Sequence, residues 1–175
     1  TIGGNAALCA DDPDWLEKLK QESLIIAEGA FDALSFEQEG YKVLSPMGGH
    51  FTRGAMLRQV IDICRTVKTV YLCFDSDDAG CSFSKAMSKT LISNRIKFNC
   101  CKLEEGYIVF IDFYAAAGDL AALLESAISG IQDFGSRVTE SATDKDEFKE
   151  FILKNARYMD RLDIEELFCS VPFSD

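Results

Sequence analysis

The sequence predicts an α/β domain with about four mostly parallel strands and helices on both faces of the sheet. Short, continuous apolar runs rich in β-branched residues recur along residues 23–100, as expected for strands buried on both faces. Segments with helical apolar spacing separate these runs. Strands that alternate with helices of this length imply parallel pairing through right-handed crossovers. Strand order cannot be derived from this pattern.

The first half of the chain supplies the sheet. Residues 1–22 predict an N-terminal arm and a short helix. The strands are predicted at Ser23–Ala27, Lys42–Ser45, Val70–Phe74 and Ile96–Cys100. Between them, helices are predicted by three sets of apolar residues: Phe31, Leu34 and Phe36; Leu57, Val60, Ile61 and Cys64; and Phe83, Ala86, Met87 and Leu91.

The second half predicts mainly helices. Asp119 is suited to cap a helix that carries Leu120, Leu123, Leu124, Ala127 and Ile128. We therefore expect an α/β domain over residues 23–131, a polar linker over 132–143 and a C-terminal helical segment over 144–175. Because the chain begins at Thr1 and not at Met, we expect a segment of a longer protein.

Composition limits the class of protein. Hydrophobic residues make up 47% and charged residues 27% of the 175 residues, which is typical of a globular chain. No apolar run reaches the roughly 18 residues of a membrane span. The seven cysteines include no Cys-x-x-Cys pair, which argues against structural zinc and for a reducing, cytoplasmic location.

Acidic residues follow two of the predicted buried strands. Asp75 and Asp77 come after Val70–Phe74, and Glu28 comes after Ser23–Ala27. The carboxyl ends of parallel strands meet at one edge of a sheet, so the three acids can converge there. Asp32 lies one helical turn beyond Glu28 and faces the same direction. Like charges brought together favour a hard divalent cation, although aspartates in such turns also serve simply as helix caps.

Two stretches carry a family resemblance. Leu24–Leu34 and Val70–Gly80 resemble the two signature motifs of the TOPRIM domain, which bacterial primases, topoisomerases and related nucleases share. The similarity is greatest to the replicative and phage- or plasmid-type DNA primases, and it extends over residues 23–128. It implies a Rossmann-like TOPRIM fold for this part of the chain.

The resemblance also implies a chemistry. Asp75 and Asp77 would bind Mg²⁺ or Mn²⁺, and Glu28 would act as a ligand or as a general acid/base. The implied reaction is nucleotidyl transfer, the synthesis of an RNA primer from nucleoside triphosphates on a single-stranded DNA template, with a helicase as a further partner of the full-length protein and no membrane. A TOPRIM nuclease and a degenerate module that binds only metal or a partner remain alternatives.

One family motif is absent. A Lys-Asp pair usually stands shortly before the position of Asp112, but this chain has Tyr107, Ile108, Val109 and Phe110 there. A third metal-facing carboxylate is therefore missing, or Asp112 must supply it.

Basic and aromatic residues offer weaker signals. The net charge of −11 opposes binding to nucleic acid, but residues 51–100 carry eight basic and four acidic groups. Arg53, Arg58 and Lys85 are the nearest candidates for phosphate contacts, and the only histidine, His50, is expected to be a non-catalytic loop residue. The aromatic residues of 107–114 either stack on bases or, as we expect, pack in the core.

Overall fold

A computed structural model describes residues 22–45, 54–138 and 142–155. Strands and helices alternate over the first hundred residues, as predicted. The strands are β1 (Ser23–Ala27), β2 (Lys42–Leu44), β3 (Thr69–Cys73), β4 (Phe98–Cys100) and β5 (Ile128–Ser129). The helices are α1 (Ala30–Gln38), α2 (Gly54–Cys64), α3 (Asp78–Ser93), α4 (Phe110–Ala115), α5 (Leu120–Glu125), α6 (Gly130–Val138) and α7 (Ala142–Asn155).

The strands form one sheet in the order β2-β1-β3-β4-β5. The first four are parallel, which confirms the predicted fold class, and β5 runs antiparallel to β4. The predicted helix over residues 119–128 was therefore too long: it ends at Glu125, and Ile128 pairs with Cys100. Pairing satisfies backbone groups that the edge of β4 would otherwise leave exposed.

The sheet has an apolar core on each face. Along β1, Leu24 and Ile26 face the core covered by α2, α3 and α6, while Ile25 and Ala27 face the core covered by α1, α4 and α5. This alternation confirms helices on both faces. Of the apolar residues that predicted α1, only Phe36 is buried: Phe31 is 75% exposed.

The predicted linker over 132–143 was wrong for residues 132–138, which belong to α6 and pack against α3 and β4. Phe134 is buried, and a Cβ at Gly130 would lie 2.1 Å from the Phe98 ring, so the helix begins in close contact with β4. The polar Asp133 is also buried, because Arg137 and Lys102 pair with it at 2.6 and 3.4 Å.

The C-terminal helical segment is described only in part. Helix α7 corresponds to the first of the two predicted helices, and its Phe151 packs edge-on against Phe134. The second predicted helix and the predicted arm at residues 1–21 lie outside the described residues. None of the helices described is both long and apolar enough to cross a membrane.

Candidate functional site

Glu28 and Gly29 form the turn between β1 and α1. The Gly29 N–H donates to Oδ2 of Asp32 at 2.9 Å, so Asp32 closes the first turn of α1. A Cβ at Gly29 would lie 2.8 Å from the same oxygen, which favours glycine at this position. Asp32 is buried, and one of its oxygens is used within the turn. The structure therefore places Asp32 beside the candidate site as a helix cap.

A second acidic turn connects β3 to α3. Asp77 is the N-cap of α3, and its Oδ1 accepts from the Gly80 N–H at 2.7 Å. A Cβ at Gly80 would lie 2.2 Å from the carbonyl oxygen of Asp75. The local pattern Asp-x-Asp-x-x-Gly thus has a steric basis. Asp77 caps α3, and Gly80 has no Cβ, so the first turn of α3 can lie directly against the Asp75 backbone.

The two acidic turns meet because β1 and β3 are adjacent and parallel. Ala27 is in register with Cys73, and the Asp75 N–H lies close enough to the Glu28 carboxylate to lower its pKa. Oε2 of Glu28 is buried and has no hydrogen-bond partner among the described residues. The convergence of Glu28, Asp75 and Asp77 at the carboxyl edge of the sheet is therefore present in the fold.

The site is electrostatically strained. Burial raises the pKa of Glu28, the charges of Asp75 and Asp77 raise it further, and the Asp75 N–H opposes the shift. Burial likewise raises the pKa of Asp75, against the lowering effect of the Phe110 N–H, and the charges of Asp77 and Asp112 add to the rise. The pKa of Asp32 is also raised, mainly by burial. Every charged neighbour that shifts the pKa of these acids is itself an acid, so a cation would relieve the site.

Asp112 lies in the first turn of α4 and is exposed. It is close enough for its charge to raise the pKa of Asp75, but the contact to Asp75 comes from the backbone: the Phe110 N–H donates to Oδ1 at 2.7 Å. Next to it, the Ser76 N–H donates to the carbonyl oxygen of Ile108 at 2.7 Å. The segment that lacks the Lys-Asp pair thus contacts the acidic loop through its main chain.

The donor set is compatible with a hard divalent cation. Asp75 and Asp77 each use Oδ1 in a backbone hydrogen bond, and no described donor contacts their Oδ2 atoms. Within the described ranges, no group of three or more His, Cys, Asp or Glu side chains is arranged to enclose a metal. Mg²⁺ often uses only one or two protein carboxylates and completes its shell with water and substrate phosphate. Carboxylate oxygens and the unpartnered Oε2 of Glu28 fit such a site.

The two basic candidates that the structure describes lie on α2 and α3. Arg58 is exposed on α2, and Lys85 is partly exposed on the third turn of α3. Neither is among the groups that shift the pKa of Glu28 or Asp75. Arg53 and His50 lie outside the described residues.

The aromatic residues after Gly106 pack mostly in the core, as expected. Phe110 and Phe113 are almost fully buried, and Phe110 stacks on Phe36 with ring centroids 4.6 Å apart. Tyr107 contacts Phe113 edge-on at 5.4 Å. Phe110 therefore contacts Asp75 through its backbone N–H while its ring packs in the core, a contact for which the sequence carries no signal.

Comparison with known proteins gives a family match for part of this chain. Residues 25–107 match the model of a Toprim-like family. A DNA primase of Aquifex aeolicus is 33% identical over 93 residues, which make up 52% of this chain and 18% of that relative. The chain therefore spans less than a fifth of the curated relative that it matches.

Solved structures with a similar fold are also primases. A DNA primase domain from Pseudomonas aeruginosa has a TM-score of 0.64 at 17% identity, covering 90% of this chain and 53% of its own. The primase catalytic core of E. coli has a TM-score of 0.61 at 16% identity, covering 93% and 56%. A DnaG primase catalytic domain bound to single-stranded DNA has a TM-score of 0.63 at 17% identity, covering 88% and 52%. At these identities the likeness establishes the fold.

Proposed function

Because this chain carries a TOPRIM domain of the DNA primase type, we propose that it is the catalytic domain of a nucleotidyltransferase that synthesises RNA primers on single-stranded DNA. The observation that carries the proposal is the meeting of Glu28, Asp75 and Asp77 at the ends of adjacent parallel strands, with no cation among the groups that shift the pKa of Glu28 or of Asp75. Phosphoryl transfer needs such a site, because it depends on positioning and charge stabilisation at the phosphate.

In this proposal, Asp75 and Asp77 hold a divalent cation, Mg²⁺ or Mn²⁺, through the oxygens that their backbone hydrogen bonds leave available. When bound, the cation supplies charge stabilisation for phosphate oxygens. Asp32 and Asp112 are proposed to add negative potential near the cation without binding it directly. Asp32 closes the turn of α1, and the exposed Asp112 adds its charge beside Asp75.

Glu28 is proposed to accept the proton of the attacking hydroxyl, or to serve as a further metal ligand. Its raised pKa brings the carboxylate closer to the range in which an acid/base can exchange protons near neutral pH. Its buried, unpartnered Oε2 is available for either role. The two roles differ in their response to added metal, which makes them separable by experiment.

The partners proposed for the full-length protein are single-stranded DNA, nucleoside triphosphates and a helicase, in the cytoplasm. Single-stranded DNA is bound by one of the structurally similar primases. The net charge of −11 opposes phosphate binding, and the basic excess of this chain is in residues 51–100, with Arg53, Arg58 and Lys85 among them. We therefore propose that other parts of the full-length protein supply most of the binding affinity for the single-stranded DNA template.

Thermal unfolding tests the metal site. Millimolar Mn²⁺ or Mg²⁺ should raise the Tm of the wild-type chain, because a ligand that binds only the folded state stabilises it by mass action. The double variant Asp75→Asn with Asp77→Asn should lose this rise. Asp62→Asn is a matched control, since Asp62 is an exposed acid on α2 that pairs with Arg65. A wild-type Tm that does not respond to metal would refute the metal site.

Catalysis is tested by primer synthesis with the full-length protein. Glu28→Gln should lower the rate by roughly 10²-fold or more if Glu28 moves a proton. If Glu28 is only a ligand, added Mn²⁺ should restore much of the rate. Cleavage of the DNA strand without primer synthesis would identify a nuclease, and the absence of both activities would identify a degenerate module. Equal rates for wild type and Glu28→Gln would remove Glu28 from the mechanism.

A further inference from the structure

We propose that the entry to α4, residues Ile108–Phe110, is a backbone clamp that positions the Asp75 carboxylate for the divalent cation. The inference rests on the proposed metal site and adds Phe110 to it as a positioning residue that acts through its main-chain N–H. Nothing in the side chain of residue 110 would suggest such a role, because the contact with Asp75 uses only the backbone.

The clamp consists of two short hydrogen bonds between segments more than thirty residues apart. The Phe110 N–H donates to Oδ1 of Asp75, and the Ser76 N–H donates to the Ile108 carbonyl oxygen, both at 2.7 Å. One bond holds the acidic side chain and the other holds the backbone beside it. Together they determine both the position of the loop and the rotation of the carboxylate.

The clamp is anchored in the core. The Phe110 ring is 2% exposed and stacks on Phe36 of α1. Helix α1 starts two residues after Glu28, whose carboxylate lies beside the Asp75 N–H. A chain of contacts therefore runs from Glu28 through α1 and α4 back to Asp75, so that the packing of this aromatic pair supports the position of the acids that the pairing of β1 and β3 brings together.

A fixed carboxylate matters for metal binding. With Oδ1 held by the N–H, Asp75 can present Oδ2 in one orientation without losing rotational freedom on binding. Partners that hold metal ligands through hydrogen bonds commonly change metal affinity by about 10–100-fold when they are removed. In this chain an aliphatic and aromatic segment stands where the Lys-Asp pair is usual. The clamp explains how that segment still positions Asp75.

The fold permits a pair of variants whose comparison isolates the loss of the N–H. Phe110 is the first residue of α4, a position where proline is well tolerated, and Val109 has φ −108° and ψ 134°, which suits a residue before proline. Phe110→Pro lacks both the ring and the N–H, whereas Phe110→Ala lacks only the ring. Calorimetric titration of each chain with Mn²⁺ should give a Kd about 10-fold or more weaker for Phe110→Pro than for Phe110→Ala. Equal affinities for the two variants would overturn the clamp.

A second pair of variants keeps the test decisive if Phe110→Pro does not fold. Phe36→Leu loosens the anchor of α4, and Phe134→Leu makes the same change in the core on the other face of the sheet. The clamp predicts that Phe36→Leu weakens Mn²⁺ binding by several-fold more than Phe134→Leu, when both are compared in their folded states. Equal effects would contradict it. A wild-type chain that binds no Mn²⁺ refutes the metal site itself, whereas wild-type binding with no difference within either pair refutes only the clamp.

Discussion

Replacing Gly80 by alanine tests how closely α3 must begin against the acidic loop. The added Cβ would lie 2.2 Å from the Asp75 carbonyl oxygen and 2.9 Å from its nitrogen, whereas ordinary contacts begin at 3.4 Å. The atoms in the way belong to the backbone, so no rotation of a side chain relieves the clash. The first turn of α3 must therefore move away from Asp75 by the difference, about 1.2 Å.

The expected cost follows from three effects. Overpacking of a tight site destabilises a fold by about 1–3 kcal/mol. The displacement also disrupts the 2.7 Å bond from the residue 80 N–H to Asp77, and a lost N-cap costs about 1 kcal/mol. The higher helix propensity of alanine offsets about 1 kcal/mol. The free energy of unfolding should therefore fall by about 1–3 kcal/mol.

Urea unfolding of wild type, Gly80→Ala and Ser82→Ala measures this cost. Ser82 is an exposed residue in the same turn region of α3, so its variant controls for a small change in the helix. Gly80→Ala should also weaken Mn²⁺ binding, because Asp75 and Asp77 are displaced relative to each other. A loss of stability within about 0.5 kcal/mol of the control, together with unchanged Mn²⁺ affinity, would refute the steric argument.

Two further predictions concern charge. The pKa of Glu28 is raised in the folded state, so its contribution to stability is present below the ordinary carboxyl pKa and is lost as the pH rises through the folded value. In chelator, the Tm of Glu28→Gln should therefore exceed that of wild type most at pH 7–8, and the difference should shrink towards pH ~4; a difference that grows as the pH falls would contradict this. Binding of single-stranded DNA should be weak, with Kd on the order of 10⁻⁶–10⁻⁴ M near physiological salt, and should decrease further in Arg58→Glu with Lys85→Glu. Lys68→Glu, at the opposite edge of the sheet, is the control, and an equal loss there, measured by fluorescence anisotropy, would argue against a localised basic surface.

Local information predicted much of the fold. The strand Ser23–Ala27 was predicted at its observed bounds, and β3 within one residue of them, because a continuous apolar run that ends in acid and glycine is a local pattern. The placement of Glu28 and Asp75 at one edge followed from parallel pairing alone, since the carboxyl ends of parallel strands face the same side. The glycines at 29 and 80 were visible in the sequence, but the clash that explains Gly80 requires coordinates.

Other features depended on partners distant in the chain. A polar stretch around Asp133 resembles a linker, yet it forms α6 because Arg137 and Lys102 neutralise the buried carboxylate and Phe134 packs in the core. The i, i+4 spacing of Asp133 and Arg137 was the available signal for a helix there. Strand β5 exists because the edge of β4 accepts it, which two residues cannot encode by themselves.

The sequence by itself determined which acids stand at the ends of β1 and β3, because strand period, apolar runs and glycine positions are local properties of the chain. The tertiary structure decided what holds those acids in place. The N–H that contacts Asp75 belongs to Phe110, thirty-five residues away, and every residue except proline has such a group. Side-chain identity therefore carries no record of the contact, which arises only when the stacking of Phe110 on Phe36 brings the start of α4 to the edge of the sheet.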